Sequence, residues 1–334
     1  MSESTPLDGV DLVLADLDGV IYRGADAIPH AVESINRVQG RARVAYVTNN
    51  ASRTPDSVAG QLRDLGLRVT ADEVVTSPQA AVRLLTGLVP AGSLVLAVGG
   101  DGLRSELARA GFAITDSAAA GPAAVIQGFA QDVGWGELSE AAYALQGAGA
   151  ERPWVATNTD WTLPTARGLA PGNGTLVSAV HSAVGRLPVV AGKPEVAIFE
   201  EAIARFGGTK PLFLGDRLDT DILGANRAGI ASALVLTGVD AAKQVLAADA
   251  SSRPTYLLED LRGLHEPYPD IHEEVLQDGA RIITVRDAIV GMRQNVVSML
   301  QAGERIDILR AGAAAIWGSG LAIYGLDVAP ELYS

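Results

Sequence analysis

Four times along this chain a short apolar run stops abruptly at a small cluster of polar residues, with helical patterns between the runs. Leu14 to Val20 reads LADLDGV, Val47 to Asn50 reads VTNN, Ala191 to Glu195 reads AGKPE, and Leu214 to Asp221 reads LGDRLDTD. Apolar runs without polar alternation suit strands covered on both faces, as in a parallel sheet flanked by helices. Asp11–Ala15, Val44–Val47, Pro211–Leu214 and Ala233–Leu236 are expected to be such strands. In a parallel sheet every strand delivers its last residues to the same, carboxyl edge, where ligands bind.

The rest of the chain fits an α/β plan. Thr54-Pro55 and Ser77-Pro78 each place a hydroxyl suited to capping before a proline suited to a first helical turn. Pro194 opens a helix with Ile198, Ala202, Ile203 and Phe206 on one face, ended by Gly207-Gly208. Between Gln79 and Gly185 lie further strands, Leu94–Val98, Ala123–Ile126 and Trp154–Ala156, which suggest an inserted α/β domain. Pro267, Pro269 and the acidic stretch Asp270–Glu274 mark a linker. Beyond it come a strand-like Ala280–Val285 and helical stretches around Ile289–Leu300 and Ile306–Ile316.

Composition removes several functions. A formal net charge of -13 argues against a non-specific grip on nucleic acid or an anionic membrane. The absence of cysteine excludes disulfides, thiolate zinc sites and cysteine-based phosphatase chemistry. Met1–Gly9 has no secretory pattern, and the apolar Ala311–Leu326 is interrupted by Gly312, Gly318, Gly320 and Gly325. That stretch is also shorter than the roughly 20 residues of a helical span. A cytoplasmic protein without a membrane partner is expected; self-association stays open. The 334 residues suffice for two or three domains.

The polar clusters carry the chemistry. Asp16 and Asp18 follow a strand directly, and Gly19 lets the chain turn there. A calcium loop would need further oxygen ligands where Val20, Ile21 and Tyr22 stand, so that reading fails. A polar strand-to-turn junction is the plainer alternative. Thr48, Asn49 and Asn50 offer a hydroxyl and backbone N–H groups that can cradle a phosphate, or simply cap a helix. Lys193 is one of three lysines among 26 basic residues and precedes a helix N-terminus, where its charge and the helix dipole can act on one anion. Asp216, Asp219 and Asp221 are too many for a cap and suit a hard cation.

In type, order and strand context these four clusters resemble the four motifs of the haloacid dehalogenase superfamily. Within it the chain is similar to the p-nitrophenylphosphatase branch that includes phosphoglycolate and glycerol-3-phosphate phosphatases. The likeness spans about residues 8–265 and is densest in Thr157–Asp160 (TNTD), Gly172–Gly174 (GNG), Gly192–Pro194 (GKP) and Gly215–Ile222 (GDRLDTDI). It implies a doubly wound parallel-sheet, Rossmann-like core over 8–78 and 186–265, and a large inserted α/β cap over 79–185. Residues 266–334 form a small C-terminal α/β appendage outside the resemblance, of unassigned role.

The activity so implied is Mg2+-dependent hydrolysis of a small phosphorylated metabolite through an aspartyl-phosphate. Glycerol 3-phosphate comes first; 2-phosphoglycolate, a sugar phosphate or a nucleoside monophosphate are the alternatives. The resemblance makes Asp16 the nucleophile and Asp18 the general acid and base. It gives the metal the Asp16 carboxylate, the Asp18 carbonyl and Asp216, with Asp221 supporting from behind. Thr48, Asn49 and Lys193 bind the phosphoryl group. Asn158, Asp160 and the loop Gly128–Trp135 are candidates for substrate contact in the cap. Three rivals remain. A dehalogenase needs no metal and leaves Asp18, Asp216 and Asp221 unexplained. A phosphoryl-accepting signalling domain needs no large lid. The glycine-rich Val98–Leu103 resembles a kinase loop but reads as a strand-to-helix turn.

Overall fold

A computed structural model describes residues 4–165 and 167–334. They form two compact units. One comprises the chain up to Arg23, Ala27–Arg43 and Thr209–Ser334; the other comprises Gly24–Asp26 and Val44–Gly208.

In the first unit the strand Leu12–Ala15 runs parallel to Pro211–Gly215, which pairs in turn with Ala231–Val235 and then Tyr256–Leu258. Leu12, Val13, Leu14 and Ala15 are all fully buried, as expected for a strand covered on both faces. The register sets Ala15 opposite Leu214. Asp16 and the residues after Gly215 therefore emerge at the same carboxyl edge. The helix Ala31–Val38 buries Ala31, Ile35 and Val38, the stripe its periodicity demands.

The C-terminal part of this unit is an antiparallel meander of His272–Val275, Arg281–Val285, Ala288–Arg293 and Val296–Gln301, with Asp327–Val328 added in parallel at its edge. Ile289–Leu300, expected to be helical, is instead a hairpin. Its flanks are β-branched (Ile289, Val290, Val296, Val297), and Gln294 turns the chain at φ 56°. The helix Arg305–Ser319 covers the meander. Its Leu309 and Ile316 share one apolar cluster with Val285, Val290 and Val297 of the meander and with Leu234, Leu246 and Leu257 of the parallel-sheet region. A buried polar node reinforces this contact. Arg310 donates through Nε and Nη2 to the Leu257 carbonyl at 3.1 and 2.7 Å and through Nη1 to Asp307 at 2.7 Å. Its guanidinium lies 4.5 Å from the centre of the Tyr268 ring.

In the second unit the strand Arg43–Thr48 pairs in parallel with Val74–Thr76, setting Thr48 opposite Thr76. The helix Pro55–Asp64 starts as expected, with Thr54 accepting the Ser57 N–H. The helix Ser77–Thr86 is capped differently. The Thr76 N–H donates to the Gln79 side chain, and the Ser77 hydroxyl is used elsewhere. A five-stranded parallel sheet has the order Val189–Val190, Trp154–Ala156, Ala124–Gln127, Leu94–Val98, Ala113–Thr115. The helices Trp135–Ala144 and Asn173–Val184 bury Ala141, Val177 and Val180 against Leu96, Val125 and Trp154. The glycine-rich Val98–Leu103 is the turn from one of these strands into the helix Asp101–Arg109. Among the described residues no helix is long and apolar enough to cross a membrane.

Candidate active site

At the carboxyl edge of the first unit three buried aspartates converge. Asp16 is 8 %, Asp216 1 % and Asp221 0 % exposed, and each offers a carboxylate oxygen within 4.8 Å of the others. Asp16 and Asp216 are the first residues beyond two neighbouring parallel strands. The Asp16 N–H, donating to the Leu214 carbonyl at 2.9 Å, carries the pairing one residue further. Asp221 arrives by a different route. A wide, π-helical turn over Leu218–Ile222 folds it back, so that its Oδ2 accepts the N–H groups of Asp216 and Arg217, both at 3.1 Å. Of the three aspartates in this loop, Asp219 does not join the group; it makes a two-pronged pair with the Arg217 guanidinium.

The surrounding backbone packs closely on Asp216. Its Oδ2 accepts the Val239 N–H at 2.7 Å, and a Cβ at Gly238 or Gly19 would stand 1.9 or 2.3 Å from that oxygen. Only glycine fits at either position. Gly19 is held in turn by the Thr237 hydroxyl, which donates to its carbonyl at 2.7 Å. Asp240 accepts the Leu218 N–H at 2.6 Å. Burial pushes its carboxyl above the ordinary range, with the negative charges of Asp219 and Asp221 adding to the effect. Thr237–Asp240 thus complete the loop around Asp216. The sequence holds a signal for them, an apolar run over Ala233–Leu236 followed directly by Thr237-Gly238.

Three carboxylates so close and so buried repel one another unless a cation balances them. Their oxygens, with no sulfur or imidazole among them, suit a hard ion such as magnesium, calcium or manganese. Asp18 stands apart from this group: its side chain is exposed, two residues beyond the buried Asp16. A carboxyl group at that rim is in contact with water, as a group that passes protons to and from water must be.

In the second unit Thr48 ends its strand and is 3 % exposed. Its Oγ1 accepts the Asn50 N–H at 3.1 Å, which leaves the hydroxyl proton available for donation. Lys193 is 3 % exposed and precedes a helix, but that helix is Val196–Phe206, starting two residues later than the expected opening at Pro194. Asn49, Asn158, Asp160 and Lys193 come together here. The Asn49 Nδ2 lies 3.1 and 3.2 Å from the Asp160 carboxylate oxygens and 3.0 Å from the Lys193 carbonyl. Its Oδ1 accepts the Lys193 N–H at 2.9 Å. The Asn49 carbonyl accepts from Asn158 Nδ2 and from the Ser77 hydroxyl, both at 2.7 Å. Ser77 was not singled out in the sequence for this role. The loop Gly128–Trp135 runs from the end of a strand to the start of a helix, where Trp135 is 80 % exposed.

Comparison with known proteins agrees with the motif pattern. A haloacid dehalogenase-like hydrolase model matches residues 13–113, and a second model of the same kind matches residues 190–264. The chain is 44% identical over 308 residues to a D-glycerol 3-phosphate phosphatase of Mycobacterium tuberculosis, covering 92% of this chain and 86% of that one. Among solved structures, a glycerol phosphate phosphatase of M. tuberculosis in complex with magnesium superposes with a TM-score of 0.86 at 38% identity, over 98% of this chain and 96% of that one. A p-nitrophenyl phosphatase from Archaeoglobus fulgidus gives a TM-score of 0.70 at 28% identity, over 76% of this chain and 98% of that one.

Proposed function

This chain belongs to the haloacid dehalogenase-like hydrolases, and from that membership we propose that it is a magnesium-dependent phosphatase of glycerol 3-phosphate. The observation that carries the reading is the buried trio Asp16, Asp216 and Asp221, with oxygens within 4.8 Å of one another. Such a cluster asks for a hard divalent ion, and it sits at the sheet edge that the motifs mark. The choice of glycerol 3-phosphate over other monoesters rests on the 44% identical relative.

The Asp16 carboxylate attacks phosphorus in line and becomes an aspartyl-phosphate, displacing the glycerol alkoxide. Asp18, at the exposed rim, gives that alkoxide its proton and then takes one from the water that hydrolyses the acyl-phosphate. Asp16, the Asp18 carbonyl and Asp216 would hold the Mg2+, and the bound ion would supply positive charge to offset that of the phosphoryl oxygens. Asp221 keeps the Asp216 loop in shape through its two backbone hydrogen bonds. Thr48 donates its hydroxyl, and Lys193 its ammonium, to the oxygens of the group in transfer. Asn49 contributes only its backbone, because its side chain is committed to Lys193 and Asp160. We place the reaction in the cytoplasm.

The test is a panel of phosphate monoesters assayed with magnesium and with a chelator. Glycerol 3-phosphate should give the highest kcat/KM, and activity should vanish on chelation and return with added magnesium. A better rate with 2-phosphoglycolate, a sugar phosphate or a nucleoside monophosphate would change the substrate. Turnover indifferent to chelation would remove the metal.

A further inference from the structure

We propose that Asp160 is a positioning residue: it orients the Asn49 carboxamide, which clamps the backbone of Lys193 and so fixes where the lysine side chain departs. The inference rests on the reading above in one respect, that Lys193 binds the phosphoryl group.

The geometry is specific. The Asn49 side chain bonds both the N–H and the C=O of the same residue, Lys193, at 2.9 and 3.0 Å. An amide meeting both groups of one residue imitates a strand pairing and leaves the Lys193 backbone little freedom. The Lys193 N–H and C=O already select one orientation of the carboxamide, since a flip would set oxygen against oxygen and donor against donor. Asp160 reinforces that choice from the outer side. A carboxylate only accepts, so the NH2 edge must face it, and the oxygen is then turned to the Lys193 N–H. In the flipped amide, oxygen would face the Asp160 carboxylate and the Lys193 carbonyl, and every one of these bonds would be lost.

The neighbourhood holds the clasp from behind. The Asp160 N–H donates to Asn158 Oδ1 at 3.2 Å, Asn158 Nδ2 donates to the Asn49 carbonyl, and Asn173 Nδ2 donates to the Asn158 carbonyl at 2.7 Å. Gly192 lies directly against it; a Cβ there would be 2.6 Å from both Asn49 Oδ1 and the Thr157 carbonyl. The TNTD segment therefore serves the lysine loop, not the leaving group. A lysine on the transferring phosphoryl group assists every substrate alike. Loss of the clasp should accordingly lower all rates by one factor.

The experiment measures kcat and KM of the full-length, magnesium-loaded enzyme with glycerol 3-phosphate and p-nitrophenyl phosphate. Asp160→Ala should lose kcat on the order of 10- to 100-fold with both substrates, the scale set by small misplacements of catalytic groups. Asp160→Asn, whose amide oxygen still accepts from Asn49, should recover most of that loss. Asn49→Ser removes the clasp from its other side and should show the same uniform deficit even where Asp160→Ala folds poorly. In a Lys193→Ala background, Asp160→Ala should add almost nothing. A shift of more than tenfold in the ratio of the two substrates would overturn the proposal and make Asp160 a selector of the leaving group. So would a full additional loss in the Lys193→Ala background. A Lys193→Ala enzyme with undiminished turnover would sink the phosphate-binding reading itself.

Discussion

Replacing Asp221 with asparagine keeps the shape of the acidic cluster and removes one of its charges. Two effects compete. The amide oxygen can still accept from the N–H groups of Asp216 and Arg217, but a neutral acceptor is weaker than a carboxylate by about 1 kcal/mol per bond. Against this, two like-charge pairs disappear. Oxygens within 4.8 Å repel by roughly 3 kcal/mol per pair at an effective dielectric constant of about 20. Without metal the relief wins. In a chelator, Asp221→Asn should therefore match or exceed the parent, by about 1–3 kcal/mol after relaxation of the loop. For a unit of this size that is a rise of roughly 3–10 °C in Tm. Magnesium should reverse the order. An ion at 100 times its Kd stabilises by about 2.7 kcal/mol, and the variant, having lost a negative charge beside the site, gains less at the same concentration. Thermal unfolding in chelator and across a magnesium titration reads both effects. The opposite result is a variant that melts well below the parent in chelator, with an unchanged response to magnesium. Asp221 would then be a brace for the loop and no part of a cation-balanced cluster.

Three further outcomes are expected. Asp18→Asn should slow single-turnover phosphorylation by glycerol 3-phosphate far more than by an aryl phosphate, which leaves without a proton; equal defects would argue against a general acid there. Truncation near Pro267 should expose the apolar faces that Leu234, Leu246 and Leu257 share with the C-terminal helix and leave the Leu257 carbonyl without Arg310. Light scattering should show aggregation or a lower unfolding temperature, and a monodisperse truncated protein of unchanged Tm would contradict this. His265, which meets the Ser34 carbonyl at 3.0 Å, has its pKa lowered chiefly by burial. The unfolded chain then binds the proton more readily, so this contribution to stability is present above the unfolded value near 6.5 and declines as pH falls through it. His265→Gln should flatten the pH dependence of Tm in that window; an unaltered profile would remove His265 as its source.

The strand ends were legible because each rests on local facts: an apolar run, then Asp16, Thr48 or Asp216 at its last or next position. Lys193 stood out for a similar reason, beside Gly192 and Pro194 in a chain poor in lysine. What was not legible depends on long-range partners. VTNN marks Asn49 for phosphate binding without saying what its side chain does, because the side-chain partners Asp160 and Lys193 lie 111 and 144 positions away. Nothing near Asn49 signals them. Asp219 looks equivalent to its neighbours until Arg217 claims it. The hairpin at Ala288–Gln301 was missed for a different reason. Its small and apolar residues fit a helical period well enough to mask the β-branched flanks on either side of Gln294-Asn295.

In the proposed mechanism Asp16 carries the phosphoryl group between substrate and water. Acid-quenched single turnovers with excess enzyme and phosphorus-labelled glycerol 3-phosphate, followed by peptide mapping, would trap that intermediate. Label should rise and fall on the peptide containing Asp16 at rates that account for phosphate release, and a folded Asp16→Asn enzyme should neither acquire label nor turn over. Phosphate release with no protein-bound label at any time, together with substantial turnover by Asp16→Asn, would mean that Asp16 is not the nucleophile.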